Sequence, residues 1–353
     1  MCSIHKHYIV FGSFMAKIMF FKTAWLAQLR HWLRERKIPT IGLNYILLMC
    51  ALILVFYSGI VSKSLRTLTI VTYKQLDPYP VLGIGTPFSL RGEFKSSVFD
   101  SFCERHKDIV TIIPTYSAAE NFKRRKAIRD TIGKECVHLK CAVFFIVGVS
   151  LNDSVYEGVR KEYTLHKDIL MVGYIDTYRH LNNKAIAMLN WLVRCCQQPK
   201  YMLHIIDDTY PNIRYFNDHL NTMNETKFIL GRIQSGALPV SDASNKWYAS
   251  KLEYPRKTYP TYVFGTMYAF LNKDTALLRD VAYQAEHWWI EDVWITGYVR
   301  EKAGFTLVNA KKAQLDSNSS TDPELWSKYA GVHQINITGF YDVYKATNTN
   351  LTL

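Results

Sequence analysis

The chain has 353 residues, of which 48% are hydrophobic and 21% charged, and these shares are typical of a folded protein rather than a disordered or fibrous one. Lysine and arginine outnumber aspartate and glutamate by 43 to 30, and the net charge of +13 favours nucleic acid, an acidic membrane face or a phosphorylated substrate as partner. The basic residues are scattered without an RNA-binding or zinc-finger signature, so we do not expect nucleic acid. Seven cysteines without a C-x-x-C pair exclude a disulfide scaffold and disfavour structural zinc, and the mean hydropathy of −0.08 excludes a polytopic membrane protein.

A single apolar segment predicts a membrane span. Residues 41–61 carry no charge, and at about 1.5 Å per residue such a helix crosses roughly 30 Å of hydrocarbon. More lysines and arginines precede this segment than follow it closely, so the positive-inside rule places residues 1–40 in the cytoplasm and everything after the helix at 41–62 on the lumenal or outer side. A cleaved signal peptide is the alternative, although its apolar region would be shorter and nearer residue 1.

The residues after the predicted span agree with a lumenal location. Five N-x-S/T acceptor triplets lie there and none precedes the span. Their asparagines are Asn152, Asn224, Asn318, Asn336 and Asn350. Five cysteines also follow the span, an odd number, so we expect at least one to be free or to pair between chains. Residues 63–105 contain prolines without a strong period and are interpreted as a stem, and 106–353 are predicted to form the globular domain.

Within the globular part, apolar runs alternate with segments of helical periodicity. The predicted strands cover 109–114, 142–148, 169–172, 201–206 and 262–271, and the predicted helices cover 118–132, 155–166 and 182–196. This alternation is typical of an α/β domain with a mainly parallel central sheet and helices on both faces. Ligands of such sheets bind beyond the carboxyl ends of the strands, so the residues that follow each strand are the candidates for function.

Two pairs of adjacent acids lie in positions where chemistry is expected. Asp207 and Asp208 follow the predicted strand 201–206, and two neighbouring carboxylates there suit a divalent cation such as Mg²⁺ or Mn²⁺. Two solvated aspartates at the start of a loop are the alternative. Glu291 and Asp292 lie in a run of aromatic residues, where burial would raise a carboxyl pKa and make a better base. Acids in the first turn of a helix are also favoured by its dipole.

Three arginines follow the first predicted strand. Arg124, Arg125 and Arg129 are candidates for phosphate recognition, because guanidinium presents a planar fork of donors. A solvated helix face is the alternative.

The ordered set of motifs resembles the β1,3-glycosyltransferases of glycosyltransferase family 31, the galactosyltransferase group. The matching blocks are R-R-K-A-I-R-D-T at 124–131, V-F-F-I-V-G at 143–148, D-I-L at 168–170, D-T-Y at 176–178 with Leu181 and Lys184, Trp191 with Cys195, K-W-Y at 246–248, Y-P-T-Y at 259–262, G-T-M-Y at 265–268, and E-D-V at 291–293 with Gly297. The order of these blocks is more specific than any one of them.

Several positions depart from the family pattern. Ile206 replaces the first aspartate of the D-D-D motif, and Ile132 replaces a tryptophan. His180 and Asn182 replace the asparagine and threonine of the N-L-T block. The chain is therefore identified as a divergent member.

The resemblance implies a GT-A nucleotide-sugar-binding fold, Mn²⁺ and a UDP-sugar donor. It implies inverting transfer of a hexose or N-acetylhexosamine to a sugar hydroxyl on a glycoprotein or glycolipid, with a β1,3 linkage, by a single-pass type II protein of the Golgi membrane; a homodimer is left open. The implied roles are catalytic base for Asp292, metal ligand for Asp208, donor binding for Arg125, Arg129, Lys184, Asp207 and Asp208, and acceptor binding for Trp247, Tyr262 and Glu291.

Other interpretations stay open at this point. An inactive member of the family would bind a glycan or nucleotide-sugar as a chaperone-like module, because Ile206 replaces an acid. A purely structural membrane protein leaves both acid pairs unexplained. A metal-dependent phosphoesterase would need more histidine and aspartate ligands than occur near Asp207.

Overall fold

The computed structural model describes residues 101–223, 226–310, 315–316 and 329–348. The predicted cytoplasmic segment, the predicted span and nearly all of the predicted stem lie outside these ranges, as do Asn224, Asn318 and Asn350. Among the described residues, no helix has the length and apolarity needed to cross a membrane.

The described strands form two sheets. They are β1 Thr111–Tyr116, β2 Cys141–Val149, β3 Ile169–Ile175, β4 Tyr201–Ile206, β5 Thr209–Pro211, β6 Phe228–Gln234, β7 Tyr262–Leu271, β8 Thr306–Asn309, β9 Leu315–Asp316 and β10 Gly331–His333. The larger sheet has the order β3-β2-β1-β4-β7-β6-β8, in which only β7 runs antiparallel to its two neighbours. The smaller sheet has the order β5-β10-β9. The prediction of an α/β domain with a mainly parallel central sheet is confirmed.

The helices fall largely between the strands. They are α1 Phe102–Arg105, α2 Phe122–Asp130, α3 Ile132–Leu139, α4 Asp153–His166, α5 Leu181–Cys195, α6 Ile213–Thr222, α7 Thr275–Gln284, α8 Arg300–Lys302 and α9 Ile337–Asn348. Short 3₁₀ turns occur at Tyr178–His180 and Asn272–Asp274, and a π-helical segment covers Val293–Val299.

The single helix predicted for 118–132 is wrong. The chain forms a loop until α2 begins at Phe122, and α2 and α3 are separated at Thr131. Thr131 has φ −119° and ψ −83°, outside the helical region, and its buried hydroxyl donates to the Ala127 carbonyl over 2.7 Å. The apolar period continues through this break, which is why the sequence pattern does not show it.

Residues assigned to the end of the stem by sequence belong to the folded core. Phe102 is only 2% exposed and packs against Phe144 and Trp191, whose own ring centroids lie 4.6 Å apart. Burying a phenylalanine stabilises a fold by about 1.5–3 kcal/mol. A disulfide from Cys103 to Cys196 fastens α1 to the end of α5.

A second disulfide joins Cys136 of α3 to Cys141 at the start of β2. Cys195 takes part in neither of these two disulfides. The Cys103–Cys196 bond closes the longer loop, with a sequence separation of 93, and so constrains the unfolded chain more strongly in the chain-entropy account.

Candidate active site

The first acid pair lies at the carboxyl edge of the central sheet. β4 ends at Ile206, and the amide of Asp207 donates to the main-chain oxygen of Tyr116, the last residue of β1, over 3.0 Å. The carboxyl ends of the parallel strands β1 and β4 therefore lie side by side, where ligands of α/β sheets are expected to bind.

Asp208 has the properties of a metal ligand. Its Oδ1 atom is buried and has no hydrogen-bond partner among the described residues, and it lies 3.7 Å from His333 Nε2. Burial raises the pKa of the Asp208 carboxyl, the charge of Asp207 adds to this effect, and His333 and Arg124 oppose it. A divalent cation would remove the cost of an unpartnered carboxylate oxygen, so Asp208 fits Mn²⁺.

His333 was not found by sequence reasoning. It ends β10, which pairs antiparallel with β5, so that His333 lies opposite Thr209, the residue after Asp208. No motif or spacing links these distant parts of the chain, and only sheet pairing brings them together. The described residues contain no group of three or more His, Cys, Asp or Glu side chains arranged to hold a metal.

Asp207 faces a different set of partners. Its Oδ2 atom accepts a hydrogen bond from Asn121 Nδ2 over 2.8 Å, and its main-chain oxygen accepts one from Arg124 Nη1 over 3.3 Å. The same Arg124 nitrogen donates to the Ile335 carbonyl, and the Ile335 amide donates to the Asp208 carbonyl. Arg124 thus ties the segment after His333 to the acid pair.

Arg125, predicted to contact the donor, is fully buried beneath the loop that follows β1. Its guanidinium donates to Ser117 Oγ, to the carbonyls of Ala118 and Ala119, and to both carboxylate oxygens of Glu162. Such a set of charge-assisted bonds fixes the shape of the loop. In this structure Arg125 stabilises the loop after β1 from its buried side. Direct contact of Arg125 with a donor stays a prediction.

Arg129 completes the same buried charge cluster. It donates to both oxygens of Asp168, over 2.7 and 2.9 Å, and to Glu162 over 2.6 Å. Burial raises the pKa of Glu162, but the hydrogen bonds and charges of Arg125 and Arg129 outweigh it and hold the pKa below its usual value. Donor contact by Arg129 also stays a prediction, because its guanidinium is paired.

Lys184 is buried and holds together the ends of three strands. Its ammonium lies 2.8 Å from Asp176 Oδ1 and donates to the Ser117 carbonyl over 2.9 Å. Asp176 Oδ2 accepts hydrogen bonds from the amides of Gly148 and Ala119. A Cβ atom on Gly148 would lie 2.7 Å from the Asp176 Cβ, so only glycine allows this approach. This cluster lies at the carboxyl ends of β1, β2 and β3.

Asp292 is held in place by two backbone amides. Its Oδ1 atom accepts from the Val293 amide over 2.9 Å, and its Oδ2 atom accepts from the Gly265 amide of β7 over 3.1 Å. Burial raises the pKa of this carboxyl although both amides act against it. Asp292 as a whole is only partly buried, so its carboxylate combines raised basicity with accessibility to a ligand.

Glu291 lies deeper than its neighbour. Its Oε1 atom accepts from the phenols of Tyr116 and Tyr268, over 3.2 and 3.4 Å. Burial and the charge of Asp292 raise the pKa of Glu291 to about 8, so at neutral pH Glu291 holds a proton. In this structure the carboxyl of Glu291 contacts the phenols of Tyr116 and Tyr268. The acceptor contact predicted for Glu291 stays a prediction.

A buried histidine supports the two phenols. The ring of His204 in β4 lies 4.1 Å from that of Tyr116 and 4.6 Å from that of Tyr268, centroid to centroid. Burial lowers the pKa of His204 to about 3, so the ring is neutral. His204 was also missed from sequence, since a single histidine in an apolar strand shows no distinguishing pattern.

An aromatic surface lies near the second acid pair. Trp247 is 45% exposed, and its Nε1 donates to Tyr178 Oη over 2.7 Å. The Tyr178 ring meets that of Trp289 edge to face, and the negative charge of Asp292 contributes to a raised Tyr178 pKa, after burial. Exposed aromatic faces of this kind suit the apolar face of a sugar ring.

Other predicted acceptor-side residues are more deeply placed. Tyr262 is buried, and its pKa is raised by burial and then by the charge of Asp292. Trp288, close in the chain to Glu291, also lies in the core, where it packs against Tyr254 and Tyr298. Tyr262 stays a predicted acceptor contact.

Both described glycosylation candidates are exposed. Asn152 caps α4, with Oδ1 accepting from the amides of Ser154 and Val155. Asn336 Oδ1 accepts from Thr338 Oγ1 and from the Gly339 amide. Their modification stays a prediction.

Fold and site together are those of a glycosyltransferase-type domain, that is, a mainly parallel sheet with two pairs of adjacent acids at its carboxyl edge. The sequence model of the galactosyltransferase family matches residues 123–311, so the chain belongs to this family.

The curated relatives agree with this assignment. The chain is 27% identical over 199 residues to human beta-1,3-galactosyltransferase 5, with 56% of this chain and 64% of that protein covered. It is 26% identical over 198 residues to mouse beta-1,3-galactosyltransferase 1, covering 55% and 60%. It is 28% identical over 176 residues to the zebrafish lactosylceramide 1,3-N-acetyl-beta-D-glucosaminyltransferase A, covering 46% of each chain. The match therefore spans less than two thirds of each of these relatives.

Solved structures give weaker likenesses. A glycosyltransferase involved in glycosylation of the major capsid of PBCV-1 is 9% identical with a TM-score of 0.37, covering 68% of this chain and 98% of that one. A galactosyltransferase in complex with donor and acceptor sugar analogues is 11% identical with a TM-score of 0.34, covering 67% and 95%. Similarity at this level carries no argument about the present site.

Proposed function

We propose that the protein is an inverting glycosyltransferase with a GT-A-type domain, which transfers a hexose or N-acetylhexosamine from a UDP-sugar to a sugar hydroxyl of a glycoprotein or glycolipid with a β1,3 linkage. The observation that carries the proposal is the convergence of both acid pairs on Tyr116. Its main-chain oxygen accepts from Asp207 and its phenol donates to Glu291. One residue of β1 thus joins the metal side of the site to the base side.

Asp208 and His333 would hold Mn²⁺ in this proposal. The cation would neutralise negative charge on the departing UDP. Asp207 is held beside Asp208 by Asn121 and serves the donor sugar or ribose. The loop supported by Arg125 and Lys184 forms the adjacent wall of the donor site.

Asp292 would take the proton from the acceptor hydroxyl as that oxygen attacks the anomeric carbon. The two amides from Val293 and Gly265 fix the carboxylate in position, and burial raises its pKa towards a useful range. Attack from the face opposite the leaving UDP inverts the anomeric centre. Trp247 and Tyr178 offer the aromatic surface for the acceptor sugar.

The decisive experiment measures UDP release and product formation from a panel of UDP-sugars with Mn²⁺ and sugar acceptors, including galactose- and N-acetylhexosamine-terminated glycans. We expect acceptor-dependent release with at least one donor, and loss of that release in Asp292→Asn. Asp218→Asn is a matched control, because Asp218 is an exposed aspartate of α6. Binding of a UDP-sugar without transfer to any acceptor would support the inactive, glycan- or nucleotide-sugar-binding alternative that the Ile206 substitution suggests.

We also propose a type II topology in the Golgi membrane, with the catalytic domain in the lumen. The two disulfides support an oxidising compartment, and the exposed Asn152 and Asn336 are accessible acceptors there. Peptide-N-glycosidase should increase the gel mobility of the protein expressed in cells. Unchanged mobility, together with protease sensitivity of the C-terminal domain in intact microsomes, would contradict this topology.

A further inference from the structure

The edge of the sheet opposite the candidate active site contains a cavity of about 530 Å³. Its lining includes Ile109, just before β1, Cys141, the first residue of β2, and Asp168, just before β3. The cavity therefore opens at the amino ends of these strands. The Asp207–Asp208 pair follows the carboxyl end of β4, and Asp292 contacts Gly265 near the start of the antiparallel β7, so both acid pairs lie at the opposite edge of the sheet. Its volume is within the range of pockets that hold discrete small ligands, about 300–1,000 Å³.

The lining of this cavity is strongly basic. Lys107, Lys134 and Lys140 line it, and none of the three forms an ion pair with any described residue. Arg105 adds a fourth cationic side chain. Two carboxylates line the cavity, those of Asp108 and Asp168. Asp168 is paired with Arg129, whereas Asp108 forms no ion pair within the described part of the chain. The excess of cationic over carboxylate side chains around this concavity raises the local concentration of anions.

Two features hold the cavity in shape. The Cys136–Cys141 disulfide connects α3 to the start of β2, and both cysteines line the cavity. The paired Arg129 and Asp168 side chains, joined over 2.7 Å, form another part of its wall. A covalent bond and an ion pair therefore fix the walls of the cavity, which lowers the conformational entropy lost by the walls when a ligand binds, while its three lysines are exposed.

We propose that this cavity binds an acidic oligosaccharide, that is, a short glycan with two or more sulfate or carboxylate groups. The cations come from three separate segments: Lys107 follows α1, Lys134 lies in α3, and Lys140 precedes β2. Cations spaced in this way fit several separated anionic groups better than they fit one phosphate. The concave form suits a discrete ligand rather than a flat membrane surface. The phenyl ring of Phe102, which is 2% exposed, offers no open face for a nucleobase.

The test measures binding of a fluorescein-labelled, heparin-derived tetrasaccharide to the purified full-length protein, with the desulfated, N-acetylated tetrasaccharide as second probe. We expect binding of the sulfated probe only, weakened by salt. The triple variant Lys107→Gln/Lys134→Gln/Lys140→Gln should weaken binding by about tenfold or more, as expected for the loss of several charged contacts. A matched triple variant, Lys161→Gln/Lys273→Gln/Lys345→Gln, removes the same charge from exposed lysines outside the cavity and should leave the affinity within about twofold.

The single variant Lys134→Gln should disturb folding less than the triple variant, because Lys134 is exposed on α3. Melting temperatures identify any triple variant that fails to fold. An excess of UDP-sugar should not displace the tetrasaccharide, because the two sites lie at opposite edges of the sheet. The proposal is overturned by equal losses in both triple variants, by equal binding of the desulfated probe, or by displacement with UDP-sugar. Lysine-dependent binding to phosphatidylcholine–phosphatidylserine vesicles in place of the tetrasaccharide would assign the cavity to a membrane surface instead. None of these outcomes depends on transferase activity.

Discussion

The phenol of Tyr116 donates a hydrogen bond to Glu291 Oε1 over 3.2 Å, although the two residues lie on elements far apart in the chain. The main-chain oxygen of the same tyrosine accepts a hydrogen bond from the amide of Asp207. The Glu291–Asp292 pair is thereby connected to the Asp207–Asp208 pair through the end of β1.

The first prediction concerns the base. Asp292→Asn should reduce kcat by about 10²–10⁴-fold, because an amide keeps the hydrogen bonds of the side chain but cannot take a proton. UDP-sugar affinity, measured by calorimetry, should stay nearly unchanged. Near-normal turnover by this variant would remove Asp292 from the mechanism. Glu291→Gln should cost less, and a larger loss from that variant would move the role of base to Glu291.

The second prediction concerns the metal. Asp208→Asn should weaken UDP-sugar binding in the presence of Mn²⁺, because a neutral amide is a poorer ligand than a carboxylate. His333→Gln should act in the same direction, whereas Asp218→Asn should have no effect. Thermal protection by UDP-sugar, with and without EDTA, measures the change. An affinity that EDTA leaves unaltered would contradict metal-assisted donor binding.

The third prediction concerns the acceptor. Trp247→Ala should raise the KM for the acceptor and leave donor affinity unchanged, because the exposed indole is placed beside Tyr178 near Asp292. A loss of about 1–3 kcal/mol, or roughly 5- to 150-fold in KM, is typical of removing a large contact side chain. Leu252→Ala, at a residue that is 98% exposed, serves as the control. Equal effects of the two variants would argue against an aromatic acceptor site.

The fourth prediction concerns pH and stability. The pKa of Glu291 is about 8 in the folded protein against 4.5 for the free side chain, so between these values the folded state holds a proton that the unfolded chain has released. The free energy of unfolding therefore falls as pH rises through this window, by up to about 5 kcal/mol at 1.36 kcal/mol per pKa unit.

Glu291→Gln imitates the protonated side chain and should remove this dependence. Its melting temperature should match that of the wild type at about pH 5 and exceed it at about pH 8.5. Glu157→Gln, on the exposed face of α4, should show no such crossover. Parallel pH profiles for wild type and Glu291→Gln would mean that Glu291 is ionised in the folded protein.

The fifth prediction concerns the Lys184–Asp176 cluster at the strand ends, which we propose lies beside the donor. Gly148→Ala should destabilise the protein by about 1–3 kcal/mol and weaken UDP-sugar binding, because the new methyl group would displace Asp176 from Lys184 and Ala119. In Gly133→Ala the nearest atom to the new Cβ is 3.6 Å away, so that helical control should be neutral or slightly stabilising. Denaturant unfolding measures both, and equal stabilities would show that the strand ends adjust freely.

The α/β class, the strands β1 to β4 and β7, and both acid pairs were predictable from the sequence. Apolar β-branched runs are recognisable because buried parallel strands need continuous apolar residues, and β4 has the same bounds in the structure as in the prediction. The adjacent acids after β4 were visible for the same reason: a change from apolar to charged residues marks the strand end.

Other parts of the site depended on the tertiary structure. His333 meets Asp208 only because β10 pairs with β5, and Arg125 became a support for the loop after β1 because the fold places Glu162 and three loop residues around its guanidinium. The protonated state of Glu291 likewise follows from burial beside Tyr116 and Tyr268, which no local pattern encodes. The sequence by itself determined which residues carry charge and where strands end, since these are local properties. Pairing, burial and the resulting pKa values arise from contacts between distant segments, so only the folded chain decided them.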